Sequence, residues 1–407
     1  MAVKSPIYLD HNATTPVDPR VLEAMLPFFA EKFGNAASRS HSFGWEAEAA
    51  VDKARAQIAE LIGADPKEII FTSGATESDN IALKGAMEQY SAKGDHLITC
   101  VTEHKAVIDS AKYLESKGTK VTYLPTDKFG RVNLDELEAA ITSNTVLISL
   151  MLANNETGVL HPVEEIGKIA AKHGVIFHCD ATQGVGKVPI DVRELGIHLM
   201  SMSGHKIYGP KGIGVLYLRS RDPRVKVKPV IHGGGHERGV RSGTLNVPGI
   251  VGMAAACAIC KGEMEEEIPR LARLRDRLEK GVLERLDHVY VNGHPTERLP
   301  STSNMSFEWV EGEGIMLSMK DIAVSSGSAC TSASLEPSYV LCAMGLGDEL
   351  AHGSLRFSLG RFTTEDEIDY AIVRVVEVVT RLREMSPLYE MAQKGVDLKS
   401  VKWTHEH

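Results

Sequence analysis

Several features that would narrow the function of this protein are absent from its sequence. No run approaches the roughly 20 consecutive apolar residues that a membrane-spanning helix needs. The 45 basic residues are outnumbered by 54 acidic ones, and the resulting net charge of -9 does not indicate a broad surface for nucleic acid. No internal repeat or low-complexity tract is present. With 43% hydrophobic and 24% charged residues, the composition is that of an ordinary globular protein.

The sequence also lacks the cysteine pattern of a disulfide scaffold. Its six cysteines stand at positions 100, 179, 257, 260, 330 and 342, without the density or regular spacing of such proteins. Cys257 and Cys260 form a C-x-x-C, but they lie in an apolar helical segment and no second C-x-x-C accompanies them. We therefore predict that both are core residues and not zinc ligands or a redox pair.

No leader segment is indicated at the start of the chain. A strand-like apolar stretch at residues 7–9 comes so early that it leaves no room for a signal or transit peptide. We therefore expect a cytoplasmic protein.

Strand patterns and helix patterns alternate along the first half of the chain. After helices predicted at 19–29 and 42–61, strands are predicted near 69–72, 97–100, 121–124, 146–150 and 175–180, and helices at 105–116, 134–141 and 163–172. This alternation indicates an α/β fold with helices on both faces of a mainly parallel sheet. Ligand sites in such sheets lie beyond the carboxyl ends of the strands, where we find His104, Asn155, Asp180 and Gln183.

The segment 201–212, Ser-Met-Ser-Gly-His-Lys-Ile-Tyr-Gly-Pro-Lys-Gly, places a lysine among small residues. An amine that forms a Schiff base must lose its proton, and burial or a carbonyl partner lowers the pKa of a lysine for this purpose. Ser203 and His205 carry donors for an anion beside Lys206. Pyridoxal phosphate combines an aldehyde with a phosphate, so Lys206 is a candidate for its attachment. The alternative is a surface lysine in a Gly-Pro turn.

Other polar segments suit the same cofactor, and each has a structural alternative. The strand at 69–72 runs into Ser-Gly-Ala-Thr at a helix start, which suits a phosphate or an ordinary helix cap. Asp180 would keep a pyridine nitrogen protonated, or cap a turn. Taken singly, His104 is better explained as a loop histidine and Asn155 as a turn former. The glycine-rich basic segment 233–244 either approaches an anion or connects two elements.

The residues around Cys330 differ from the rest of the chain. Ten small residues at 325–334 include no large apolar side chain, so we predict a mobile loop that carries one thiol between sites. The alternative is an incidental cysteine in a linker.

A long helical stretch at about 247–286 changes composition along its length, and we place a domain boundary inside it. We predict a large domain of residues 16–262 and a small α+β domain of residues 1–15 and 263–407. Strands of the small domain are predicted near 289–291, 304–307, 322–324 and 354–358, and a capping box begins a helix at Thr364.

Taken together, these residues show a family resemblance. The sequence resembles the cysteine desulfurases of the NifS/IscS family, most closely the IscS type, and the resemblance runs nearly end to end. It includes residues 8–10, the run Thr-Ser-Gly-Ala-Thr-Glu-Ser-Asp-Asn at 72–80, the lysine segment, Arg-Ser-Gly-Thr at 241–244 and Val-Asp-Leu at 396–398. It implies a dimeric fold-type I pyridoxal phosphate transferase. Its large domain would hold a mainly parallel seven-stranded sheet, and its small domain the catalytic loop at 325–337.

The resemblance also implies a role for each site residue. Lys206 would form the Schiff base, Asp180 would pair with the pyridine nitrogen, Gln183 with the phenolic oxygen, and His104 would stack on the ring. The phosphate would be held by Ala75, Thr76, Ser203, His205 and, from the other subunit, Thr244. Asn155, which also contacts the cofactor, and Arg356 would bind the substrate carboxylate. Cys330 would accept the sulfur.

The implied reaction converts L-cysteine to L-alanine and leaves a persulfide on Cys330. Lys206 would take the Cα proton, and His104 would move protons on and off the substrate thiol. The expected sulfur acceptors are an IscU-like iron–sulfur scaffold, contacted by the tail at 401–407, and carriers for tRNA thiolation. Cys330 is also a candidate transient ligand of an iron–sulfur cluster shared with that scaffold. No direct contact with nucleic acid or membrane is expected.

Three alternative functions were weighed on the same residues. A selenocysteine lyase or another aminotransferase-like enzyme needs Lys206 and Asp180 but not the Cys330 loop. A non-catalytic sulfur-relay scaffold predicts at least one broken catalytic position, and none is found. A nucleotide-binding enzyme has the weakest support, because neither a G-x-G-x-x-G after a first strand nor a P-loop is present.

Overall fold

The computed structural model describes residues 5–326 and 336–395. In chain order the strands are β1 (Ile7–Tyr8), β2 (Ile69–Thr72), β3 (His96–Cys100), β4 (Lys120–Leu124), β5 (Thr145–Ser149), β6 (Ile176–Asp180), β7 (Leu199–Ser203), β8 (Gly214–Leu218), β9 (Val289–Asn292), β10 (Thr302–Phe307), β11 (Ile322–Ala323) and β12 (Ser354–Ser358). The helices are α1 (Pro19–Met25), α2 (Pro27–Ala30), α3 (Ser42–Ile62), α4 (Ala75–Gln89), α5 (Lys105–Glu115), α6 (Leu134–Ala140), α7 (Val163–His173), α8 (Val247–Leu283), α9 (Gly312–Ser318), α10 (Tyr339–Ala343), α11 (Asp348–His352), α12 (Glu365–Glu384) and α13 (Pro387–Gln393).

Contacts divide the chain into two compact units. The larger one consists of residues 11–270 and 293–300, and the smaller one of residues 1–10, 271–292 and 301–407. These limits describe how the chain packs. The assignment of residues 16–262 to a large domain and of residues 1–15 and 263–407 to a small domain stays a prediction.

A seven-stranded sheet forms the centre of the larger unit, in the order β2-β8-β7-β6-β5-β3-β4. The strands from β7 to β4 pair in parallel, while β8 runs antiparallel to both β2 and β7. The predicted α/β class with a mainly parallel sheet is therefore confirmed. The carboxyl ends of β3, β5, β6 and β7 meet at one edge, and the candidate residues lie there.

Successive residues of the strands face opposite sides of the sheet, and each side is covered by helices. In β2, Ile69 and Phe71 pack into the core cluster that contains residues of α3 and α8, whereas Ile70 packs with residues of α4 and α5. Both faces are therefore buried, which explains why these strands are continuously apolar.

Helix α3 begins and ends near the predicted residues. Its buried positions include Ala47, Val51, Ala54 and Ile58, at helical spacing. It ends at Gly63, whose φ of 68° lies in the left-handed region that favours glycine at this position. The predicted helix at 19–29 is wrong as a single element: α1 ends before Leu26 and α2 begins at Pro27, because proline cannot donate a hydrogen bond to the preceding turn.

Helix α8 contributes residues to both units. By length and hydropathy alone it qualifies as a candidate membrane span, with a mean hydropathy of 1.3 over its most apolar window. Ile250, Met253, Cys257 and Cys260 on this helix are no more than 1% exposed and pack into the core of the larger unit. This is the packing of a core helix, and it confirms that the two cysteines are buried core residues.

The smaller unit is built on an antiparallel sheet in the order β12-β10-β9 and a parallel pair, β1 and β11. The predicted capping box at the start of α12 is confirmed, since Thr364 accepts from the N–H of Glu367 and the Glu367 carboxylate accepts from the N–H of Thr364. Helices α9, α10, α11 and α13 were not predicted from the sequence, because they are short and carry little periodic signal.

Candidate active site

Strand β7 ends in a tight turn that carries Lys206. A single 3₁₀ turn spans Gly204–Lys206, and the carbonyl of Gly204 accepts hydrogen bonds from the N–H groups of Ile207 at 3.1 Å and Gly209 at 2.9 Å. Tyr208, two residues after the lysine, has a φ of 64°, a conformation that costs energy for a residue with a Cβ. Its N–H donates to Thr15 Oγ1 at 2.8 Å, so the surrounding chain holds the strained residue in place.

The amine of Lys206 lies against two backbone carbonyls. Its Nζ donates to the carbonyl oxygen of Asn12 at 2.5 Å and to that of Ala13 at 2.8 Å. The side chain is partly exposed, so the amine sits where the buried turn opens to solvent. Lys206 is therefore not the freely solvated lysine of a surface turn.

Residues 11–18 form a structural part of this site that sequence reasoning missed. The N–H and the hydroxyl of Thr15 both donate to the carbonyl oxygen of His205 at 2.9 Å, and His205 Nδ1 lies 3.1 Å from Thr14 Oγ1. Burial, and then the charge of Lys206, lower the pKa of His205 to about 4, so its ring is neutral near pH 7. The only signal in the sequence was a polar, turn-rich stretch to which no role was given.

Asp180 and Gln183 follow the carboxyl end of β6. Asp180 is 5% exposed, and its Oδ1 accepts from the N–H of Thr182 at 2.9 Å. Gln183 Nε2 donates to the carbonyl oxygen of Asn12 at 2.9 Å, and Lys187 donates to Gln183 Oε1 at 2.8 Å. Since Lys206 shares the Asn12 carbonyl with Gln183, the structure brings the β6 and β7 candidates together.

His104 stands after β3 and begins helix α5. Its Nδ1 accepts from the N–H of Ala106 at 3.2 Å, and the ring is partly buried. Burial lowers the pKa of His104, the charge of Asp180 opposes this shift and that of Lys206 adds to it. The carboxyl of Asp180 and the amine of Lys206 thus both act electrostatically on the His104 imidazole at the edge of the sheet.

Asn155 belongs to a buried loop that follows β5. It is 7% exposed, and Asn12 Nδ2 donates to its carbonyl oxygen at 3.3 Å. The neighbouring Asn154 shapes the turn, because its Oδ1 accepts from the N–H groups of Glu156 at 2.9 Å and Thr157 at 3.0 Å. The loop is therefore fixed by hydrogen bonds near residues 11–18.

The N-terminus of α4 forms a concave cradle next to β7. Gly74 is its N-cap residue and provides no side-chain cap, so the N–H groups of Ala75 and Thr76 at the helix start are not capped by it. Gly214 of β8 touches this turn, and a Cβ there would lie 2.6 Å from the backbone of Gly74. Because Ser203 pairs with Gly214 across the sheet, its side chain comes from the strand end beside the cradle.

This cradle fits a phosphate. Helix N-termini bind anions through free N–H groups and the helix dipole, and the hydroxyls of Thr76 and Ser203 are further donors. Part of the helix-cap alternative is also present, because the Glu77 carboxylate accepts a hydrogen bond from the N–H of Ser73 at 2.7 Å, but the N-cap residue Gly74 has no side chain. A phosphate here and an aldehyde at Lys206 are the two groups that pyridoxal phosphate combines.

Two contacts hold the glycine-rich segment 233–244 in place, one with strand β2 and one with helix α4. The buried Glu237 accepts from the N–H of Phe71 in β2 at 2.8 Å and pairs with Arg55. Arg241 donates to Glu77 in the first turn of α4 at 2.8 Å. Thr244 beyond this anchor is exposed. The segment therefore presents Thr244 on the surface of the larger unit.

Two candidate residues lie elsewhere. Arg356 is in β12 of the smaller unit, where its buried guanidinium donates to Asp10 Oδ1 at 2.7 Å. Cys330 lies outside the described residues, as does most of the predicted loop at 325–337 and the tail at 401–407. In residues 5–326 and 336–395, no group of three histidine, cysteine, aspartate or glutamate side chains is arranged to hold a metal ion.

Comparison with known proteins agrees with this geometry. The sequence profile of the class-V aminotransferase family matches residues 7–371. The chain is 58% identical to the cysteine desulfurase IscS of Anaeromyxobacter dehalogenans, with 100% of both chains covered. It is 60% identical to the cysteine desulfurase IscS of Klebsiella pneumoniae, with 99% of this chain and 100% of the relative covered.

A solved structure of a NifS-like protein superimposes with a TM-score of 0.86 at 40% identity, and covers 92% of this chain and 99% of its own. Agreement in sequence and in backbone over nearly the whole length leaves one assignment. The chain belongs to the class-V aminotransferase family and, within it, to the IscS-type cysteine desulfurases.

Proposed function

We propose that this protein is a cysteine desulfurase that converts L-cysteine to L-alanine and retains the sulfur as a persulfide on Cys330. The observation that carries the proposal is the position of the Lys206 amine, on a strained turn and within electrostatic range of His104, on which Asp180 also acts. Full-length relatives at 58–60% identity that carry this name support the same reaction.

The class-V aminotransferase family depends on pyridoxal phosphate. When bound, this cofactor supplies an aldehyde for attachment to an amine and a ring that stabilises negative charge at the substrate Cα. We propose that Lys206 provides the amine, Asp180 faces the ring nitrogen and Gln183 faces the phenolic oxygen. The cradle of Ala75, Thr76, Ser203 and His205 would hold the phosphate, with His104 stacked on the ring.

The chain's own residues would then divide the proton transfers. In its neutral form, the Lys206 amine would accept the Cα proton of the substrate. His104, whose pKa burial lowers, is neutral near pH 7 and takes the proton of the substrate thiol. Asn155 and Arg356 would orient the substrate carboxylate, an assignment that rests on the family resemblance and, for Arg356, on its buried guanidinium.

Sulfur transfer balances without an external oxidant. The Cys330 thiolate attacks the substrate sulfur, the new S–S bond forms, and the substrate C–S bond breaks with its electron pair left on carbon. Protonation of that carbon gives alanine, so L-cysteine and one thiol become L-alanine and one persulfide.

Mass spectrometry of the cofactor-loaded protein after brief exposure to L-cysteine, without reductant, tests this proposal. We expect one added sulfur atom on the peptide that contains Cys330, together with released alanine. In Cys330→Ala both should be lost, and Cys342→Ala is the matched control because that thiol is partly exposed in the described chain. Alanine release that persists in Cys330→Ala would instead favour a selenocysteine lyase or another aminotransferase-like enzyme. A protein that binds no cofactor would favour a non-catalytic sulfur-relay scaffold.

We further propose a cytoplasmic homodimer in which Thr244 of one subunit completes the phosphate site of the other. The exposed position of Thr244 beyond the Arg241–Glu77 anchor supports this arrangement. Sedimentation analysis should show a dimer, and Thr244→Val should weaken cofactor binding. A fully active monomer would contradict the proposal.

The persulfide would pass to an IscU-like iron–sulfur scaffold and to sulfur carriers for tRNA thiolation. Cys330 is also proposed as a transient cluster ligand shared with the scaffold. Transfer of radioactive sulfur from the loaded protein to each purified acceptor measures these preferences. Truncation after residue 395 should reduce transfer to the scaffold and leave alanine formation unchanged, whereas equal transfer from both forms would remove the tail from the proposal.

A further inference from the structure

A row of buried polar side chains lies behind Asp180, and the proposed mechanism does not use it. His178 stands two residues before Asp180 in β6, so both side chains face the same side of the sheet. Ser149 of β5 and Ser201 of β7 flank His178, and Asp79 of α4 approaches from above the strands. Each of these four side chains except Asp79, which is 1% exposed, is fully buried.

His178 is a neutral member of this row. Its Nδ1 lies 2.9 Å from Ser149 Oγ and its Nε2 lies 3.0 Å from Ser201 Oγ. Burial lowers the pKa of His178 to about 4. Although Nε2 is 3.6 Å from Asp79 Oδ1, an uncharged imidazole forms no ion pair with that carboxyl.

Asp79 is a buried acid without a cation. Neither of its carboxyl oxygens has a hydrogen-bond partner of good geometry in the described chain, and no lysine or arginine of that part pairs with it. Burial, and then the negative charge of Asp180, raise the pKa of Asp79 well above its ordinary range. The titratable groups whose charge acts on Asp79 are Glu103, His178, Cys179 and Asp180.

Like charges repel strongly where water is excluded, so the charge of Asp180 opposes ionisation of the buried Asp79. The geometry decides which one keeps the proton. Asp180 Oδ1 accepts a hydrogen bond from the backbone N–H of Thr182, a contact that stabilises a carboxylate. No backbone N–H donates to Asp79 among the described residues, and the Ser201 hydroxyl beside it opposes the effect of burial without outweighing it.

We infer that Asp79 is a positioning residue that carries a proton and, by remaining neutral, lets Asp180 be the ionised carboxyl of the site. The inference rests on the proposed role of Asp180 opposite the cofactor ring. Asp79 is thus a second carboxyl at this site. It lies on helix α4 and contributes by being uncharged. A charged Asp79 would push the proton onto Asp180 and remove the anion that the ring nitrogen needs.

Infrared spectroscopy of the protein labelled with ¹³C-aspartate tests the protonation state without any substitution. At neutral pH we expect an isotope-shifted band of a protonated carboxylic acid, in the cofactor-free and the cofactor-loaded protein alike. The label excludes Glu103 as its source. The band should be absent from Asp79→Asn and present in Asp276→Asn, a control on the surface of the smaller unit. A labelled protein without such a band at neutral pH would overturn the inference.

Absorbance of the bound cofactor tests which of the two carboxyls carries the charge. Asp79→Asn replaces one neutral side chain by another of the same shape, so the spectrum, its pH dependence and the cofactor dissociation constant should stay within about twofold of the parent protein. Asp180→Asn should change all three. An Asp79→Asn spectrum that titrates like that of Asp180→Asn would show that Asp79 carries the charge, and the inference fails.

These results are separable from those of the proposed function. An unchanged spectrum in Asp180→Asn would remove the role of Asp180 and with it the positioning claim, whatever the infrared band shows. Absence of the persulfide on Cys330 would contradict the desulfurase reaction and leave the proton on Asp79 unaffected.

Discussion

Two sets of carboxyls are buried in the larger unit. One set is paired with arginines, and the other lies near further carboxyls. At the β2 edge, Glu68 accepts from Arg193 at 2.5 Å and from the N–H of Ser220 at 2.7 Å, and Glu237 pairs with Arg55. Behind the candidate active site, Asp79 has no such partner among the described residues.

The difference appears in the pKa values. Burial alone would raise the pKa of Glu68, but the hydrogen bonds from Ser220, Asp65 and Arg193 outweigh it and leave the pKa below its ordinary range. Burial raises the pKa of Glu103 well above that range; the N–H of Met151 opposes this shift and the charge of Asp180 adds to it. The paired carboxyls stabilise the edge of the sheet. Buried carboxyls that lie near one another without a cation lower the stability of the fold, and such groups are typical of functional sites.

The sharpest way to test this contrast is to neutralise the acid that we assign to the cofactor. Asp180→Asn should lower the rate of alanine formation by about 10²- to 10³-fold, because an amide cannot stabilise a positive charge on the ring nitrogen. Steady-state kinetics of the loaded protein measures this loss. Thermal unfolding should be unchanged or shifted upward, and a large decrease in the melting temperature would place Asp180 among the structural carboxyls.

Neutralising a paired carboxyl should have the reverse effect. Glu237→Gln leaves the nearly buried Arg55 without its counter-ion and should lower the free energy of unfolding by about 3–5 kcal/mol. Denaturant titration measures this change. The double variant Arg55→Met, Glu237→Met should recover part of the loss, since no charge is left unpaired, and a double variant no more stable than the single one would contradict the assignment.

The neutral His178 beside Asp79 is one of several buried histidines, His205 among them, whose lowered pKa makes the protein sensitive to acid. A group whose pKa is lower in the folded than in the unfolded protein loses its stabilising contribution as pH falls through that interval. For His178 the interval runs from about 6.5 to about 4, and the full shift corresponds to about 3 kcal/mol. His178→Gln should flatten the fall of the unfolding free energy over this range, and an unchanged slope would exclude His178 as its source.

The smallest effect is expected from Asp79. An acid with a raised pKa stabilises the folded state below its ordinary pKa, and this contribution is lost as pH rises through the folded value. Asp79→Asn should therefore raise the free energy of unfolding at alkaline pH by on the order of 1 kcal/mol relative to the parent protein. Denaturant titrations at neutral and alkaline pH measure the difference, and a destabilised variant at alkaline pH would contradict a neutral Asp79.

Much of the site could be predicted because its sequence motifs follow the carboxyl ends of parallel strands, where ligand sites of such sheets lie. His104, Asp180 and Lys206 each follow a strand whose carboxyl end meets the others at one edge, so their proximity follows from the strand pattern. Residues 11–15 could not be predicted in the same way. They precede every strand of that sheet, and the contact of Asn12 with Lys206 joins residues 194 positions apart.

From the sequence alone we could predict the α/β class, the strand ends that carry polar residues and the lysine segment, because the alternation of apolar residues and the glycine-bounded turns are local properties. The sequence also contained the motifs that identify the family. The folded structure was needed to show that backbone carbonyls receive the Lys206 amine, that Gly214 makes room for the α4 cradle and that Asp79 is buried where the charge of Asp180 acts on it. Protonation and charge depend on distance and on exclusion of water, and these arise only when distant parts of the chain pack together.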